Sequence, residues 1–425
     1  MQKGVYLLPF FISNVFMISR GYRYWKSKST IIKWSYVVLF FLLLIALLAD
    51  FLAYSKPLIA SCYHQMYFPL FQDYLIQFGL SSWSSELINT DWHSLKYDWV
   101  IWSPIPYDAQ YQNMTNNTLI PPFTQISTGH YLGTDHLGRD TLAGLIHGCR
   151  YSLLIAFAST FIASIIGIFI GMIAGYWGDD RYRSTRGNLI GICIGVLLAL
   201  YYGIYLKKYD WQDAFAEGFL SIIYQAFISL LVILFCGITG SKLGSLLAKL
   251  PYFQGQITVP TDFVISRFIE IPLAIPAFLF LMTVLAIVPP GMMWLILILA
   301  SLMWMPIATL TRAEILKLRH TYYAQSAEAI GMKPMRVIFR HLLPNAMPSL
   351  SVLIAFTTTG AILAESALSF LGIGLPAETV TWGGMLSLSR TYPSAWWLAV
   401  LPGSGIFMLV TALNYIGEDL SRQKT

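Results

Sequence analysis

Apolar runs separated by short polar or basic segments organise the chain. The first runs from Trp34 to Tyr54, and a polar, aromatic-rich stretch of about ninety residues follows it as far as Gly148. Further apolar runs cover Tyr151–Tyr176, Asn188–Leu206, Phe219–Ile238 and Phe263–Val288. The last of these turns at Pro289-Pro290-Gly291 into Met292–Leu310, and two more follow at Leu350–Leu371 and Trp396–Tyr415. Each is long enough to cross a hydrocarbon core of about 30 Å. The pattern predicts an all-α polytopic membrane protein with about eight transmembrane helices. The stretch 55–148 is too long for a simple loop and is expected to fold as a small domain.

Composition supports this. The chain has 425 residues, 56% hydrophobic and 11% charged, against about 25% charged in an ordinary soluble domain. The net charge of +6 sits in particular loops, which reads as membrane orientation and not as nucleic-acid binding. With the N-terminus in the cytoplasm, eight crossings place every strongly basic segment inside. These are the Arg181–Arg186 loop, the Lys242–Lys249 loop, the stretch from Arg312 to Arg340 and the C-terminus. The chain is expected to cross the membrane several times, with both termini cytoplasmic. Residues 1–33 lack a convincing small-residue cleavage site and read as a cytoplasmic interfacial helix with a basic anchor. The expected organisation is 34–54 first span, 55–148 extracytoplasmic domain, 149–187 second span and loop, 188–260 a hairpin of two spans, and 261–425 the core.

Catalytic signatures are missing. There is no Gly-Lys dipeptide and hence no P-loop, no H-E-x-x-H and no G-x-S-x-G. Neither an enzyme activity nor a metal site is expected. Cys62, Cys149, Cys193 and Cys236 form no C-x-x-C pair. Cys62 and Cys149 fall on the same expected side, so a disulfide between them stays open. Asn113 and Asn116 each lie in an N-x-T sequon. Arg267 and Glu270 are spaced for an i,i+3 pair near one membrane face. Glu365, inside the seventh run, serves either a structural hydrogen bond or a transport path. Gly167 and Gly171 continue a four-residue small-residue ladder from Ala163, which lets a second helix approach closely. Gly187, Gly191 and Gly195 repeat that ladder in the hairpin, where lipid-side packing is the simplest role.

The most informative segment is the basic loop 312–345. Thr321 suits an N-cap, and Ala324, Ala327 and Ala329 favour helix. Gly331 can take the left-handed conformation that ends it. Pro334 suits the first turn of a second helix, which Pro344 is expected to end. A solvated basic loop accounts for the charges but not for this ordered Ala, Gly and Pro pattern, which suits docking to a soluble partner.

This loop resembles the coupling loop of ABC importer permeases: an E-A-A triplet, three residues, Gly, then Leu-Pro twelve residues further. Here the triplet is Gln325-Ser326-Ala327, followed by Glu328, Gly331 and Leu343-Pro344. Other segments resemble the dipeptide, oligopeptide and nickel permeases. They are Gly133-Thr-Asp135-His-Leu-Gly-Arg139-Asp140, the set Asp262, Arg267, Glu270 and Pro276, and Leu363 to Gly372 around Glu365. Phrases at Tyr67-Phe-Pro69 and Ile101–Tyr107 are similar to the second permease of microcin C and oligopeptide importers. The resemblance covers about Lys56–Gly187 and Thr261–Leu420, leaving the hairpin as an insertion. It implies a permease that binds no cofactor itself, with ATP and Mg held by partner subunits. The implied partners are a second permease, two ABC ATPases docked on the coupling loops, an extracytoplasmic substrate-binding protein and the lipid bilayer. Gly133, Asp135, Arg139 and Asp140 are then candidates for the translocation path or its gate. For Arg139 and Asp140, holding their loop and capping the second span are equally open. An ion-gradient carrier and a nickel importer are the rival readings.

Overall fold

The computed structural model describes residues 28–62, 65–77, 79–83, 92–93, 95, 97–112, 118–124, 129–179, 183–217, 219–376 and 378–422. The basic N-terminal segment before Lys28, Asn113, Asn116, Arg181 and the side chain of Cys62 lie outside the described residues. Among these residues, seven helices are long and apolar enough to span a membrane, or eight if one bent pair counts as a span. The protein is an all-α polytopic membrane protein carrying two small sheets.

The chain forms two compact units, 1–172 with 271–425, and 173–270. The first begins with α1 (Thr30–Leu47). Next come β1 (Ile59–Cys62), β2 (Gln65–Tyr67), helix α2 (Pro69–Gln77) and β3 (Trp99–Ile101). These strands make an antiparallel sheet ordered β2-β1-β3, with Ser61 opposite both Met66 and Trp99. Helix α3 (Thr141–Trp177) has 37 residues, about 55 Å at 1.5 Å per residue. It starts ten residues before the apolar run because Ala143 and Ile146 pack against Ala53 and Ile105.

Within lipid, hydrocarbon tails are as apolar as leucine, so helices are held by close packing and polar ties. Gly167 and Gly171 of α3 show this against α9 (Met292–Leu318). A β-carbon on Gly171 would lie 2.5 Å from the Ala308 carbonyl oxygen, and one on Gly167 2.6 Å from that of Trp304. A buried cluster joins Leu153 and Ala156 of α3 to Ile362, Trp382 and Leu409. Cys149 is a free, buried thiol whose Sγ contacts the Leu42 carbonyl at 3.5 Å. The disulfide left open from the sequence does not form.

Polar ties fasten the small domain to the spans. Arg150 Nη1 lies 2.7 Å from Asp50 Oδ2, which also accepts the Tyr74 hydroxyl. Burial pushes the Asp50 carboxyl up, but the hydrogen bonds from Tyr74 and Arg150 outweigh it and hold it below the usual carboxylate range. Asp73 follows the same balance: burial is outweighed by hydrogen bonds from Lys56 (2.7 Å), Tyr54 and Trp83.

In the second unit, β4 (Arg183–Thr185) leads into α4 (Arg186–Leu200), extended by a π turn at Tyr201–Tyr205. Short α5 (Lys208–Glu217) and long α6 (Phe219–Leu247) follow, then β5 (Gln256–Thr258) and α7 (Thr261–Leu273). Gly187, Gly191 and Gly195 lie against Ala248, Gly244 and the Cys236–Gly240 turn of the hairpin itself. The glycine ladder therefore zips α4 to α6. At its base β4 and β5 pair antiparallel, with Thr185 opposite Gln256.

The apolar run expected over Phe263–Val288 is broken. Helix α7 ends at Leu273 and α8 covers Ala277–Ile287, because Pro272 and Pro276 remove backbone donors and crowd the preceding turn.

Candidate functional site

Two constellations stand at opposite ends of the first unit. At one end α9 runs out at Leu318 and α10 (Tyr322–Ala329) follows. Thr321 occupies the N-cap position, but its hydroxyl donates to the Leu318 carbonyl at 2.5 Å instead of capping α10. Gly331 has φ +83°, and the amides of Gly331 and Met332 close the helix on Glu328 and Ala327. A β-carbon at Gly331 would meet nothing within 4 Å. The site is therefore open, and its need for glycine is a backbone need.

Pro334 begins a second helix with Lys333 as N-cap. Pro344 does not end it. The helix passes through a π turn at Ile338–Leu342 into α11 (Leu343–Phe370). The wider turn relieves the clash a proline makes with the carbonyl four residues back. The Asn345 side chain donates to the His341 carbonyl at 2.6 Å. The loop is one short helix leaning on the start of the next span.

The faces of α10 differ from the expected docking surface. Ala324 and Ala327 are buried. The exposed face carries Tyr322 (90% exposed), Gln325, Ser326 and Ile330 (81% exposed). Ala327 is therefore a packing residue, while Gln325, Ser326, Gly331 and Pro344 are accessible and Glu328 and Leu343 half-buried. Tyr322 and Ile330 were not among the expected docking residues; their spacing of eight, about two turns along one face, was the signal for them.

At the other end, the Gly133–Asp140 loop precedes α3. Gly133 has φ +81°, and a β-carbon there would lie 2.3 Å from the Ile120 carbonyl oxygen. Asp135 accepts from the amides of Leu137 (2.8 Å) and Arg139 (2.9 Å) and from Arg139 Nε (2.6 Å). Asp140 caps α3 through Ala143 N at 2.8 Å and is bonded to buried His130 at 2.9 Å. Both open roles are filled: Arg139 with Asp135 holds the loop, and Asp140 caps the span. Beside the loop a cavity of about 540 Å³ is lined by Asp135, His136, Arg139 and the segment from Ser369 to Leu388.

Glu365 is fully buried on α11. It accepts from Ser369 (2.9 Å), Ser152 of α3 (3.1 Å) and Ser366 (3.4 Å). Gly383 of α12 (Trp382–Thr391) packs directly on Ser366. Glu365 thus ties α3 to α11 by hydroxyl bonds and does not line the cavity. In the second unit, Arg267 and Glu270 form an exposed i,i+3 pair at 2.6 Å. Among the described residues no group of three or more potential metal ligands occurs.

Residues 243–420 match a family described as the binding-protein-dependent transport system inner membrane component. The chain is 25% identical over 416 residues to the peptidoglycan transport system permease protein YejE of Agrobacterium fabrum, covering 91% of this chain and 86% of that one. It is 26% identical over 389 residues to the inner membrane ABC transporter permease protein YejE of Escherichia coli, covering 91% and 89%. The di/tripeptide transport system permease protein DppC of Pseudomonas aeruginosa is 28% identical over 319 residues, covering 74% and 78%.

Proposed function

Because the chain belongs to the family of ABC-type peptide importer permeases, we propose that it converts ATP hydrolysis by partner ATPases into peptide movement across the bacterial inner membrane. The observation that carries this reading is α10: an exposed helix, closed by left-handed Gly331, between the ends of two spans. Glu314 of α9 accepts from Ser349 of α11 at 2.7 Å, so the two spans that α10 connects are tied to each other.

In this reading two ATPases hold ATP and Mg, and one docks on Tyr322, Ser326 and Ile330. A second permease completes the path, and an extracytoplasmic binding protein delivers cargo to the end bearing the Gly133–Asp140 loop. Both termini lie in the cytoplasm with α10. Cargo is a short peptide; relatives named for di/tripeptides and for peptidoglycan, which carries short peptide stems, are compatible with this. An ion-gradient carrier needs an acid reachable from water, and Glu365 is enclosed. Uptake of labelled trialanine by cells carrying the complete importer tests the proposal. Uptake should stop when the ATPases are inactivated; uptake persisting on an ion gradient alone contradicts it.

A further inference from the structure

The cavity beside the Gly133–Asp140 loop has one chemical peculiarity. Its carboxylates are already satisfied. Asp135 accepts three hydrogen bonds, and Asp140 accepts from Ala143 N and His130. Arg139, by contrast, spends only Nε on Asp135. Its two terminal nitrogens hydrogen-bond to nothing among the described residues. A guanidinium fork held from one side, with its terminal N–H groups open, is suited to bidentate capture of a carboxylate.

The remaining walls select what comes with that carboxylate. Leu137, Leu375, Val380, Met385, Leu388 and Leu398 line the cavity, and the Ser369 and Ser387 hydroxyls are committed to Glu365 and the Gly384 carbonyl. His136 is held in place by stacking on Tyr392, 5.1 Å between ring centroids. A cavity of about 540 Å³ lies in the range of about 300–1,000 Å³ typical for small-ligand sites.

We propose that this cavity is a subsite for the C-terminal end of a cargo peptide, with Arg139 anchoring the free carboxylate and the apolar walls taking the last side chain. The proposal rests on the peptide-permease reading and adds to it a recognition step within the permease itself. Arg139 then acts twice: Nε fixes the loop through Asp135, and the terminal nitrogens meet the cargo. An acidic side chain within a peptide fits less well, because it would carry two flanking peptide bonds onto apolar walls.

The test uses the purified complex of both permeases and both ATPases, without the binding protein, and compares trileucine with trileucine amide at equilibrium. The acid should bind about tenfold more tightly, the scale of one charge-assisted hydrogen-bonded contact. Arg139→Gln should bring acid and amide to the same affinity. Arg139→Lys keeps a cation beside Asp135 but not the fork. It should also lose most of the preference, which covers failure of the glutamine variant to assemble. A β-carbon on Gly384 would meet only the Thr381 hydroxyl, at 3.5 Å, so Gly384→Leu should fill the cavity and abolish binding of both ligands. Equal binding of acid and amide by the native complex overturns the proposal. So does an equal loss for both ligands in Arg139→Gln, or an undiminished acid preference in Arg139→Lys. Trileucine uptake by the complete importer is read separately. No uptake refutes the peptide reading itself, whereas uptake without an Arg139-dependent acid preference refutes only the subsite.

Discussion

The Lys28 ammonium stands 2.5 Å from the Asp419 carboxylate, both side chains 7% exposed. Lys28 precedes the first span and Asp419 lies in the last turns of α13 (Trp397–Arg422). The start of the first crossing and the end of the last therefore share one end of the unit, as an even number of crossings requires. Tyr36 reinforces the pair, its hydroxyl 3.0 Å from Asp419.

Removing one partner breaks a part-buried pair and leaves the other charge with fewer of its partners. Lys28→Ala and Asp419→Ala should each lower the detergent-solubilised Tm by several degrees. The exchange Lys28→Asp with Asp419→Lys should recover much of the loss. Full stability in both single variants would show that the pair does not tie the terminal spans.

The α3–α9 crossing should tolerate no side chain at its glycines. Gly171→Val forces a group into the Ala308 carbonyl and should destabilise by about 3 kcal/mol, the upper range for overpacking. Gly360 of α11 is the control, since a β-carbon there meets nothing within 4 Å. Gly360→Ala should be neutral or stabilising by about 0.5–1 kcal/mol. Thermal unfolding of the two variants side by side distinguishes crowding from a general effect of glycine loss.

Acid should loosen the small domain late. Asp50 and Asp73 are held below the usual carboxylate range. Their stabilisation is fully present above the unfolded carboxylate pKa of about 3.9 and fades as pH falls through the lower folded values. Limited proteolysis of 55–140 should be unchanged between pH 7 and 5 and should accelerate only below about pH 4. Asp50→Asn should be proteolysed faster at neutral pH, because it weakens the tie to Arg150.

The hairpin should be removable. Because β4 and β5 pair with Thr185 opposite Gln256, its two ends lie about one strand spacing, roughly 5 Å, apart. A two-glycine link between Thr185 and Gln256 should therefore leave an inserted protein that still co-purifies with ATPases and imports peptide. Assembly with loss of uptake would assign the hairpin to the mechanism.

Seven of the eight expected spans were legible in the sequence because an apolar run long enough for lipid has few other uses; Phe263–Val288 is instead a bent pair. So were the Gly167–Gly171 ladder and the left-handed Gly331, whereas the Gly187–Gly195 ladder packs on α6 and not on the lipid side. The Arg267–Glu270 pair was legible too, because i,i+3 spacing fixes the geometry. What escaped depended on tertiary partners. Ala327 carried the coupling motif yet faces inward, since motif spacing does not tell which side of α10 meets α11. Pro344 reads as a stop unless a π turn absorbs it. Glu365 could be assigned to the Ser152–Ser369 tie only once α3 and α11 were brought together. Lys28 and Asp419 lie 391 positions apart, and no local pattern links them.

Gly331→Asp tests the coupling role of α10. Aspartate must adopt the φ of +83°, which costs about 1 kcal/mol, and it adds a carboxylate to an open docking surface. In proteoliposomes containing both permeases and both ATPases, ATP-driven trialanine uptake should fall to background. The variant should still insert, and a cysteine crosslink from position 326 to an ATPase, formed in the native background, should disappear. Uptake and crosslinking at native levels in Gly331→Asp would contradict the account.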